Sequence, residues 1–331
     1  MKLDRLSTQQ QEQLERLFGD MLQRDIPLAP YTSARIGGSA DYLLELTSAQ
    51  SLEQAAQDLW AENIPFRILG GGSNVLVADE GVREVVLLNK ARERRFIEDE
   101  AGTHIWAESG SMLGTLARLS AERGWTGLEW AATVPGTLGG AVVGNAGAHG
   151  SDMSHHVSVA EILQQGGQVE AWVCEQLEYS YRSSRLKRES GQFVVLTAVL
   201  EVERSTPGLC KERMREFSAQ RSKTQPAGAS MGSMFKNPPE DYAGRLIEQA
   251  GLKGYSQGAV QISELHANFF INYGDGTAQD VWRLIEAARE RVFQQFGVRL
   301  ELEVELVGAW VLNGDGAVSY THLTLPTTPY V

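Results

Sequence analysis

Apolar residues recur at helical spacing near both ends of the chain. Ser7 can cap a first helix, which Pro27 and Pro30 would end. Its predicted inward face consists of Leu14, Leu17, Phe18, Met21 and Leu22. A second helix fits Ser51–Glu62, and the most amphipathic stretch is Ala278–Phe296, with Val281, Leu284, Ile285, Ala288, Val292 and Phe296 inward. Further helices are predicted at Leu209–Lys223 and Glu240–Ala250.

Strand-like segments lie between these helices. A short apolar strand is predicted at Phe66–Leu69, and the glycine turn Gly70–Asn74 separates it from a second strand at Val75–Val77. A longer β run covers Gln192–Glu203. Near the end, Val298–Val307 alternates, with apolar residues on one face and Glu301, Glu303 and Glu305 on the other.

The pattern divides the chain into four predicted parts. Residues 1–90 end after the paired short strands, and residues 91–205 mix short strands with glycine-rich turns. Thr206–Gly208 is interpreted as a linker to a third region, 206–308. The tail from 309 to 331 has neither periodicity nor caps and is interpreted as unstructured or as a cloning or sequencing artefact.

Composition narrows the class of protein. A length of 331 residues suits two or three domains, and a net charge of -12 argues against a nucleic-acid binder. Two cysteines, Cys174 and Cys210, are too few for a disulfide framework or a cysteine-rich metal site. No apolar run approaches the roughly 20 residues of a membrane span, and no signal peptide is evident. We therefore expect a cytoplasmic location, no membrane insertion and no obligate protein partner.

Two glycine-rich stretches are candidate ligand sites. Gly70–Asn74 can expose consecutive backbone N–H groups to an anion such as a pyrophosphate, although a plain tight turn explains it as well. It precedes a strand rather than a helix, which excludes a Rossmann turn, and the chain contains no P-loop motif. The second stretch, Val134–Gly150, has six glycines flanked by Ala and Val. It indicates backbone packed against a large flat ligand, or else a glycine-rich β corner.

The order of the motifs resembles one enzyme family, the UDP-N-acetylenolpyruvoylglucosamine reductases of peptidoglycan synthesis. The resemblance covers about residues 28–308 and rests on seven segments: YTSARIGG at 31–38, LGGGSNVL at 69–76, PGTLGGAVVGNAGAHG at 135–150, YRSS at 181–184, GSMFKNP at 232–238, HANFFIN at 266–272 and LELEVELVG at 300–308. It implies an α+β fold: a two-lobed FAD-binding domain of the vanillyl-alcohol-oxidase (PCMH) type and a C-terminal α+β substrate-binding domain. The lobes would be residues 1–90 and 91–205.

The resemblance also implies a reaction and three catalytic residues. NADPH would reduce a non-covalent FAD, and the enolpyruvyl ether of a UDP-sugar would then be reduced to a lactyl ether. Arg182 matches the arginine that binds the substrate carboxylate, Ser233 the serine that donates a proton, and Glu303 the acid that assists an enolate-like intermediate. Burial would favour the protonated form of Glu303 during that step.

Further site residues follow from the matched motifs. The predicted cofactor-binding residues are Arg35, Gly70, Gly71, Gly72, Ser73, Asn74, Pro135, Gly136, Thr137, Gly139, Gly140, Asn145 and Gly147. The predicted substrate-binding residues are Tyr181, Lys236, Asn237 and His266. The short span from Arg182 to Ser233 leaves no room for the substrate-covering loop of one subtype, so the sequence resembles the subtype without it.

Plainer interpretations remain for individual residues. Arg182 begins a basic run that is ordinarily solvated, and serine is a poor acid unless a neighbour such as Lys236 stabilises its alkoxide. Alternation alone does not choose Glu303 among the three glutamates of its strand. His149, His155, His156 and His266 could suggest a metal, but no companion carboxylate spacing supports one.

Two rival functions stay open at this point. One is an FAD oxidase of the same fold that acts on another alcohol or sugar, and the other is a flavin- or nucleotide-binding protein without catalysis. One inference extends the resemblance: Asn237 as cap and Pro238 as first residue of a helix through Ala250 would, with Lys236, hold the UDP diphosphate.

Overall fold

The structure is a computed structural model that describes residues 5–310. Its α-helices are α1 Thr8–Phe18, α2 Ala49–Ala61, α3 Leu113–Glu122, α4 Leu138–Gly144, α5 Arg185–Arg188, α6 Pro207–Thr224, α7 Ala243–Gln249 and α8 Ala278–Phe296. Its strands are β1 Gln23–Pro27, β2 Ser39–Leu46, β3 Phe66–Leu69, β4 Val75–Val77, β5 Val82–Asn89, β6 Arg94–Asp99, β7 Gly102–Glu108, β8 Trp125–Thr126, β9 Gly147–Ala148, β10 Ser151–Asp152, β11 Val157–Gln164, β12 Val169–Val173, β13 Phe193–Arg204, β14 Ser256–Gln257, β15 Val260–Ile262, β16 Phe270–Asn272 and β17 Glu305–Val307.

The first sheet has the strand order β1-β2-β5-β3. Strands β2 and β3 run parallel to β5, and β1 is antiparallel to β2. Helices α1 and α2 pack on one face of this sheet, because packing there buries their apolar stripes. The resulting core contains Leu14 and Phe18 of α1 and Leu52, Ala55, Ala56 and Leu59 of α2.

The second sheet is antiparallel, with the order β12-β11-β13-β7-β6 and β8 alongside β13. Strand β13 lies at its centre and is buried over most of its length, as its apolar composition predicts. Helices α3 and α4 cover this sheet, and their buried residues Leu113, Leu116, Leu138 and Val142 join its core. The glycine-rich stretch therefore rests on a packed layer.

The C-terminal part combines a three-stranded sheet, β14-β15-β16, with α7 and α8. Its core includes Phe235, Phe270 and the apolar face of α8. The final strand β17 leaves this part and pairs in parallel with β4, directly after the first glycine turn. Asp79, two residues beyond β4, accepts hydrogen bonds from Ala278 N–H and Gln279 N–H at the start of α8. The C-terminal part is thus joined to β4 and to the loop that follows it.

Several predicted elements are confirmed and others are wrong. Helix α1 ends at Phe18, where Gly19 has φ +46°, so Pro27 closes strand β1 instead of ending the helix. Thr206 is no linker residue, because its hydroxyl caps α6, which begins at Pro207. The extended stretch from Val298 is regular only at β17, although Leu300 and Val304 are buried as the alternation predicts.

The second glycine stretch contains a helix, α4, that its sequence pattern did not predict. Two residues of the predicted tail are described: Ala309 N–H donates to Gly81 O, and the Trp310 ring packs 5.9 Å from that of Trp282. The remainder of that tail, 311–331, lies outside the described residues. Within residues 5–310, no helix has the length and apolar character of a membrane span.

Candidate active site

The structure brings Arg182 and Glu303 together although 121 residues separate them in the sequence. Arg182 Nε donates to Glu303 Oε1 at 3.0 Å, and Arg182 Nη2 donates to the carbonyl oxygen of Gly147 at 2.7 Å. The Arg182 guanidinium also lies 5.2 Å from the centroid of the neighbouring Tyr181 ring, which is half exposed. Hydrogen bonds therefore fix the Arg182 guanidinium, which distinguishes it from the solvated side chains of an ordinary basic run.

The Glu303 side chain is mostly buried, with 18% of its surface exposed, and it lies among cations. Burial raises the pKa of its carboxyl group, and the guanidinium of Arg182 opposes that rise, as do Lys187 and Lys236 at longer range. The neighbouring glutamates differ, since Glu301 pairs with Lys236 at 3.6 Å and Glu305 with Lys187 at 3.5 Å. The central glutamate of the three is the one with direct access to Arg182.

Ser233 lies on an extended segment beside Glu303. Phe235 pairs antiparallel with Leu302, and the Glu303 N–H donates to the carbonyl oxygen of Met234 at 3.0 Å. On the other side Ser233 pairs with Phe269. Ser233 is therefore the sequence neighbour of Met234, whose backbone contacts Glu303. Pairing fixes the backbone of Ser233 and that of Glu303.

The HANF motif supports this segment. Asn268 is buried, accepts from the Phe235 N–H at 2.9 Å and donates to the Phe235 carbonyl oxygen at 2.8 Å. His266 accepts the Asn268 N–H through Nδ1 at 3.2 Å, and its ring lies against Gly244 of α7. Burial lowers the pKa of the His266 imidazole. These contacts give both side chains a supporting function for the strand that carries Ser233.

The two glycine turns are in direct contact with each other. A Cβ on Gly71 would lie 2.8 Å from Gly136 Cα, and a Cβ on Gly70 would lie 2.4 Å from Thr137 Oγ1. Gly72 has φ +58°, and a Cβ there would meet the carbonyl oxygen of Tyr31 at 2.0 Å. Ser73 Oγ donates to the Pro135 carbonyl oxygen at 3.3 Å. Only glycine permits this close approach of backbones.

Arg35 borders a cleft near the C-terminal part. It has φ +55°, and the cleft beside it has a volume of about 570 Å³ and is lined by Ser33, Arg35, Gly228, Ala229, Asn272, Tyr273 and Gly274. Asn272 donates through Nδ2 to the Ala34 carbonyl oxygen, which fixes one wall. Arg35 is exposed there and available to an anionic group.

Comparisons with known proteins agree with this arrangement. A family model described as an FAD binding domain matches residues 40–171, and one described as the C-terminal domain of UDP-N-acetylenolpyruvoylglucosamine reductase matches residues 224–307. The reductase of that name from Rubrobacter xylanophilus is 44% identical over 295 residues, which cover 89% of this chain and 98% of that one. This chain belongs to the UDP-N-acetylenolpyruvoylglucosamine reductase family.

Two further relatives extend the comparison. The reductase from Chloroflexus aggregans is 40% identical over 289 residues, or 86% of this chain and 97% of that one. The crystal structure of the reductase from Thermus caldophilus matches with a TM-score of 0.72 at 34% identity, over 86% of this chain and 98% of that one. The predicted fold class is therefore confirmed, and membership of this family makes the chain an FAD-dependent oxidoreductase.

The geometry of the glycine turns fits FAD. Gly140, in the first turn of α4, is exposed, and a Cβ there would have only Thr137 Oγ1 within reach, at 3.7 Å. Thr137 Oγ1 therefore lies between Gly70 and Gly140. Because glycine has no side chain, the backbone at both positions is accessible to a ligand. Such a surface can receive a flat cofactor and its pyrophosphate, for which glycine turns are suited.

Some predicted site residues occupy different places from those expected. Asn145 directs its side chain into the protein, where Nδ2 donates to the Ser180 carbonyl oxygen and to Asp152 and Oδ1 accepts from Ser154 N–H. That geometry does not support a cofactor contact by this side chain. Lys236 pairs with Glu301, not with Ser233. Gly139 and Gly147 closely approach Ser109 and Asp152, so they serve protein packing.

The predicted helix start at Pro238 is wrong. Helix α7 begins at Ala243, with Tyr242 at the cap position. Asn237 nevertheless caps it from a distance, since its Oδ1 accepts the Ala243 N–H at 3.1 Å. The helix N-terminus therefore lies at Ala243 and not at Pro238, and the predicted diphosphate site stays a prediction.

Arg221 was not among the residues predicted from the sequence. This half-buried arginine near the end of α6 donates to the carbonyl oxygen of Thr133, just before the second glycine turn. Burial lowers the pKa of its guanidinium. An arginine in the last turn of a polar helix ordinarily indicates only a solvated helix end, so the sequence carried no signal of this contact.

Proposed function

We propose that this chain catalyses the NADPH-dependent reduction of UDP-N-acetylglucosamine enolpyruvate to UDP-N-acetylmuramate. The observation that carries the proposal is the contact between Arg182 and Glu303 beside the segment of Ser233. The three residues come from distant parts of the sequence, and their chemistry suits reduction of a vinyl ether that carries a carboxylate. NADPH and UDP-sugars are cytoplasmic compounds, which favours a reaction in the cytoplasm.

Arg182 would bind the carboxylate of the enolpyruvyl group. Its planar guanidinium can form two parallel hydrogen bonds with a carboxylate, which orients the double bond as well as holding it. In the structure Nη2 is held by Gly147 and Nε by Glu303, so the orientation of the fork is set before substrate arrives. A preset cation costs less reorganisation when negative charge grows on the substrate.

When bound, FAD supplies the redox chemistry, which is transfer of a hydride equivalent from NADPH to the substrate's vinyl carbon. Negative charge then develops on the enolpyruvyl carboxylate, next to Arg182. Glu303 in its protonated form can donate a hydrogen bond to that charge, and burial of this carboxyl favours the protonated form. Arg182 and Glu303 would thus stabilise the same group from two sides.

Ser233 would complete the reaction by giving a proton to the carbon next to the carboxylate. Backbone pairing with Phe269 and with the segment of Glu303 would fix the backbone that carries the hydroxyl group. Lys236 pairs with Glu301 rather than with Ser233, so it would not stabilise the developing alkoxide. Positioned proton transfer of this kind contributes about 10²- to 10⁴-fold to a rate.

The remaining predicted contacts concern the UDP-sugar. Tyr181 offers a half-exposed ring next to Arg182, and Lys236 a cation at the edge of the same segment. Asn237 and His266 would act by holding α7 and the HANF turn, because their side chains contact protein backbone. The glycine turns and Arg35 would hold the cofactor.

A comparison of two serine variants tests the proposal. In Ser233→Ala, bleaching of the flavin by NADPH should keep its wild-type rate, while anaerobic reoxidation by UDP-N-acetylglucosamine enolpyruvate should slow by about 10²-fold or more. Ser230→Ala, three residues earlier, is the matched control and should reoxidise at the wild-type rate. Equal rates for both variants would remove Ser233 from the mechanism and favour a flavin protein of another function.

A further inference from the structure

Arg182 occupies a backbone conformation that must be held from outside. Its φ is +54°, in the left-handed region that side chains other than glycine rarely adopt. It lies in a narrow turn in which the N–H of Ser180 donates to the Ser183 carbonyl oxygen at 3.0 Å and the N–H of Ser183 donates back at 3.1 Å. Such strain persists only where the surroundings determine it, so the neighbours of this turn matter for the guanidinium.

One neighbour is Asn145, which ends helix α4. Its backbone is left-handed, with φ +45° and ψ +58°, and the residue is only 2% exposed. The side chain donates to the carbonyl oxygen of Ser180 at 3.1 Å, on the first residue of the turn that carries Arg182. Hydrogen bonds with Asp152 and Ser154 fix the rest of the Asn145 amide, so this amide cannot rotate away from the turn.

A second neighbour contact comes from Ser184, immediately after the turn. Its hydroxyl donates to the carbonyl oxygen of Val143 in α4 at 2.6 Å and accepts the N–H of Lys187 at the start of α5. Ser184 is fully buried. The turn is therefore tied to α4 both before and after Arg182.

The guanidinium itself is tied to the same segment. Arg182 Nη2 donates to Gly147 O, two residues beyond Asn145. Residues 143–147 thus contact the arginine turn at its start, at its end and at the tip of the side chain. That segment continues directly from Gly139 and Gly140 of the cofactor turn.

We propose that Asn145 and Ser184 are positioning residues that lock the carboxylate-binding Arg182 to the helix of the cofactor-binding glycine turn. The inference rests on the proposed function of Arg182. Its consequence is that the flavin and the substrate carboxylate are held in register by one short structural unit, α4 with the loop that follows. A shift of Arg182 by about 1 Å would be enough to slow the reaction roughly 10²-fold.

The test measures the two half-reactions separately in the full-length chain. In Asn145→Ala we expect unchanged FAD content and unchanged flavin bleaching by NADPH, with anaerobic reoxidation by UDP-N-acetylglucosamine enolpyruvate slowed about 10- to 100-fold. Ser184→Ala should show the same split. Asn89→Ala is the matched control, because Asn89 is also a buried asparagine with internal hydrogen bonds, to Ser109 and Ala91, and has no contact with the arginine turn. It should reoxidise normally.

Coupling to Arg182 is tested with a second set of variants. If Asn145 acts through the arginine, adding Asn145→Ala to Arg182→Lys should slow reoxidation much less than it does in the wild-type background. Full additivity would overturn the inference, as would equal slowing in Asn145→Ala and Asn89→Ala.

Two outcomes separate this inference from the proposed function. Arg182→Lys that reoxidises at the wild-type rate would refute the function of Arg182 itself. Asn145→Ala that loses FAD, while Ser184→Ala reoxidises normally, would assign Asn145 to the cofactor and overturn the positioning function. If Asn145→Ala loses FAD but Ser184→Ala shows the split and the coupling, the inference stands on Ser184.

Discussion

At the scale of single residues, Glu303 makes a prediction about pH. Burial raises the pKa of its carboxyl above the ordinary value of about 4.3, so the folded protein holds this proton more tightly than the unfolded chain does. The free energy of unfolding should therefore fall as the pH rises through the interval between the ordinary and the raised pKa. Glu303→Gln removes that titration, and we expect a higher thermal midpoint than wild type at pH 8 and a smaller difference near pH 4.

Glu301→Gln provides the matched control for this prediction. Glu301 lies two residues earlier, and its side chain is 67% exposed. Thermal unfolding of both variants between pH 4 and pH 8 checks the account. A Glu303→Gln protein that is less stable than wild type at pH 8 would mean that the ion pair with Arg182 outweighs the cost of burial.

The three proposed catalytic residues were predicted from the sequence only through the matched motifs. The alternating pattern placed Glu301, Glu303 and Glu305 on one face and could not rank them. The ion pairs of the outer two with Lys236 and Lys187 distinguish them in the structure. The position of Asn145 is harder still to foresee, because its partner Ser180 is 35 residues away in sequence.

At the scale of elements, the contact between the two glycine turns should control cofactor binding. Gly71→Ala would place a Cβ 2.8 Å from Gly136 Cα and force the turns apart. We expect the variant to fold and to bind FAD at least about 10-fold more weakly, measured by flavin fluorescence titration of the apoprotein. Gly144→Ala is the matched control, since a Cβ there meets nothing within 4 Å. Equal FAD affinity in both variants would contradict this function of the turns.

Asp79 should stabilise the start of α8 from outside the helix. Its carboxylate accepts from Ala278 N–H at 2.8 Å and from Gln279 N–H at 2.9 Å. Asp79→Ala should lower the free energy of unfolding by about 1–2 kcal/mol, and Asp79→Asn by less, because an amide oxygen can still accept. Urea unfolding measures both. If Asp79→Ala loses no more unfolding free energy than Asp275→Ala, a variant of an exposed residue, then Asp79 does not stabilise α8.

The elements show where sequence patterns succeed. Helix α8 matches its predicted bounds because its apolar stripe is long and regular and Thr277 caps it. Helix α4 was missed because Gly139, Gly140 and Gly144 are poor helix formers and only packing on the second sheet holds them helical. Thr206 was misread because a Thr-Pro-Gly sequence suits a helix start as well as a linker.

At the scale of the whole molecule, the four apolar clusters of the described residues combine segments that are far apart in the sequence. The core of the C-terminal part takes Ala34, Ile36 and Leu76 from the first 90 residues. Strand β17 returns to β4 in the same region. The predicted boundaries at 90, 205 and 308 therefore stay predictions, because a local pattern cannot show that a late strand pairs with an early one.

The central claim is that one chain passes reducing equivalents from NADPH to an enolpyruvyl UDP-sugar. The most direct measurement reduces the FAD of the purified protein with one equivalent of NADPH without oxygen, then adds UDP-N-acetylglucosamine enolpyruvate and follows the flavin absorbance. We predict rapid reoxidation and one equivalent of UDP-N-acetylmuramate. A flavin that bleaches but stays reduced would contradict the proposed substrate, although the FAD-binding fold would stand.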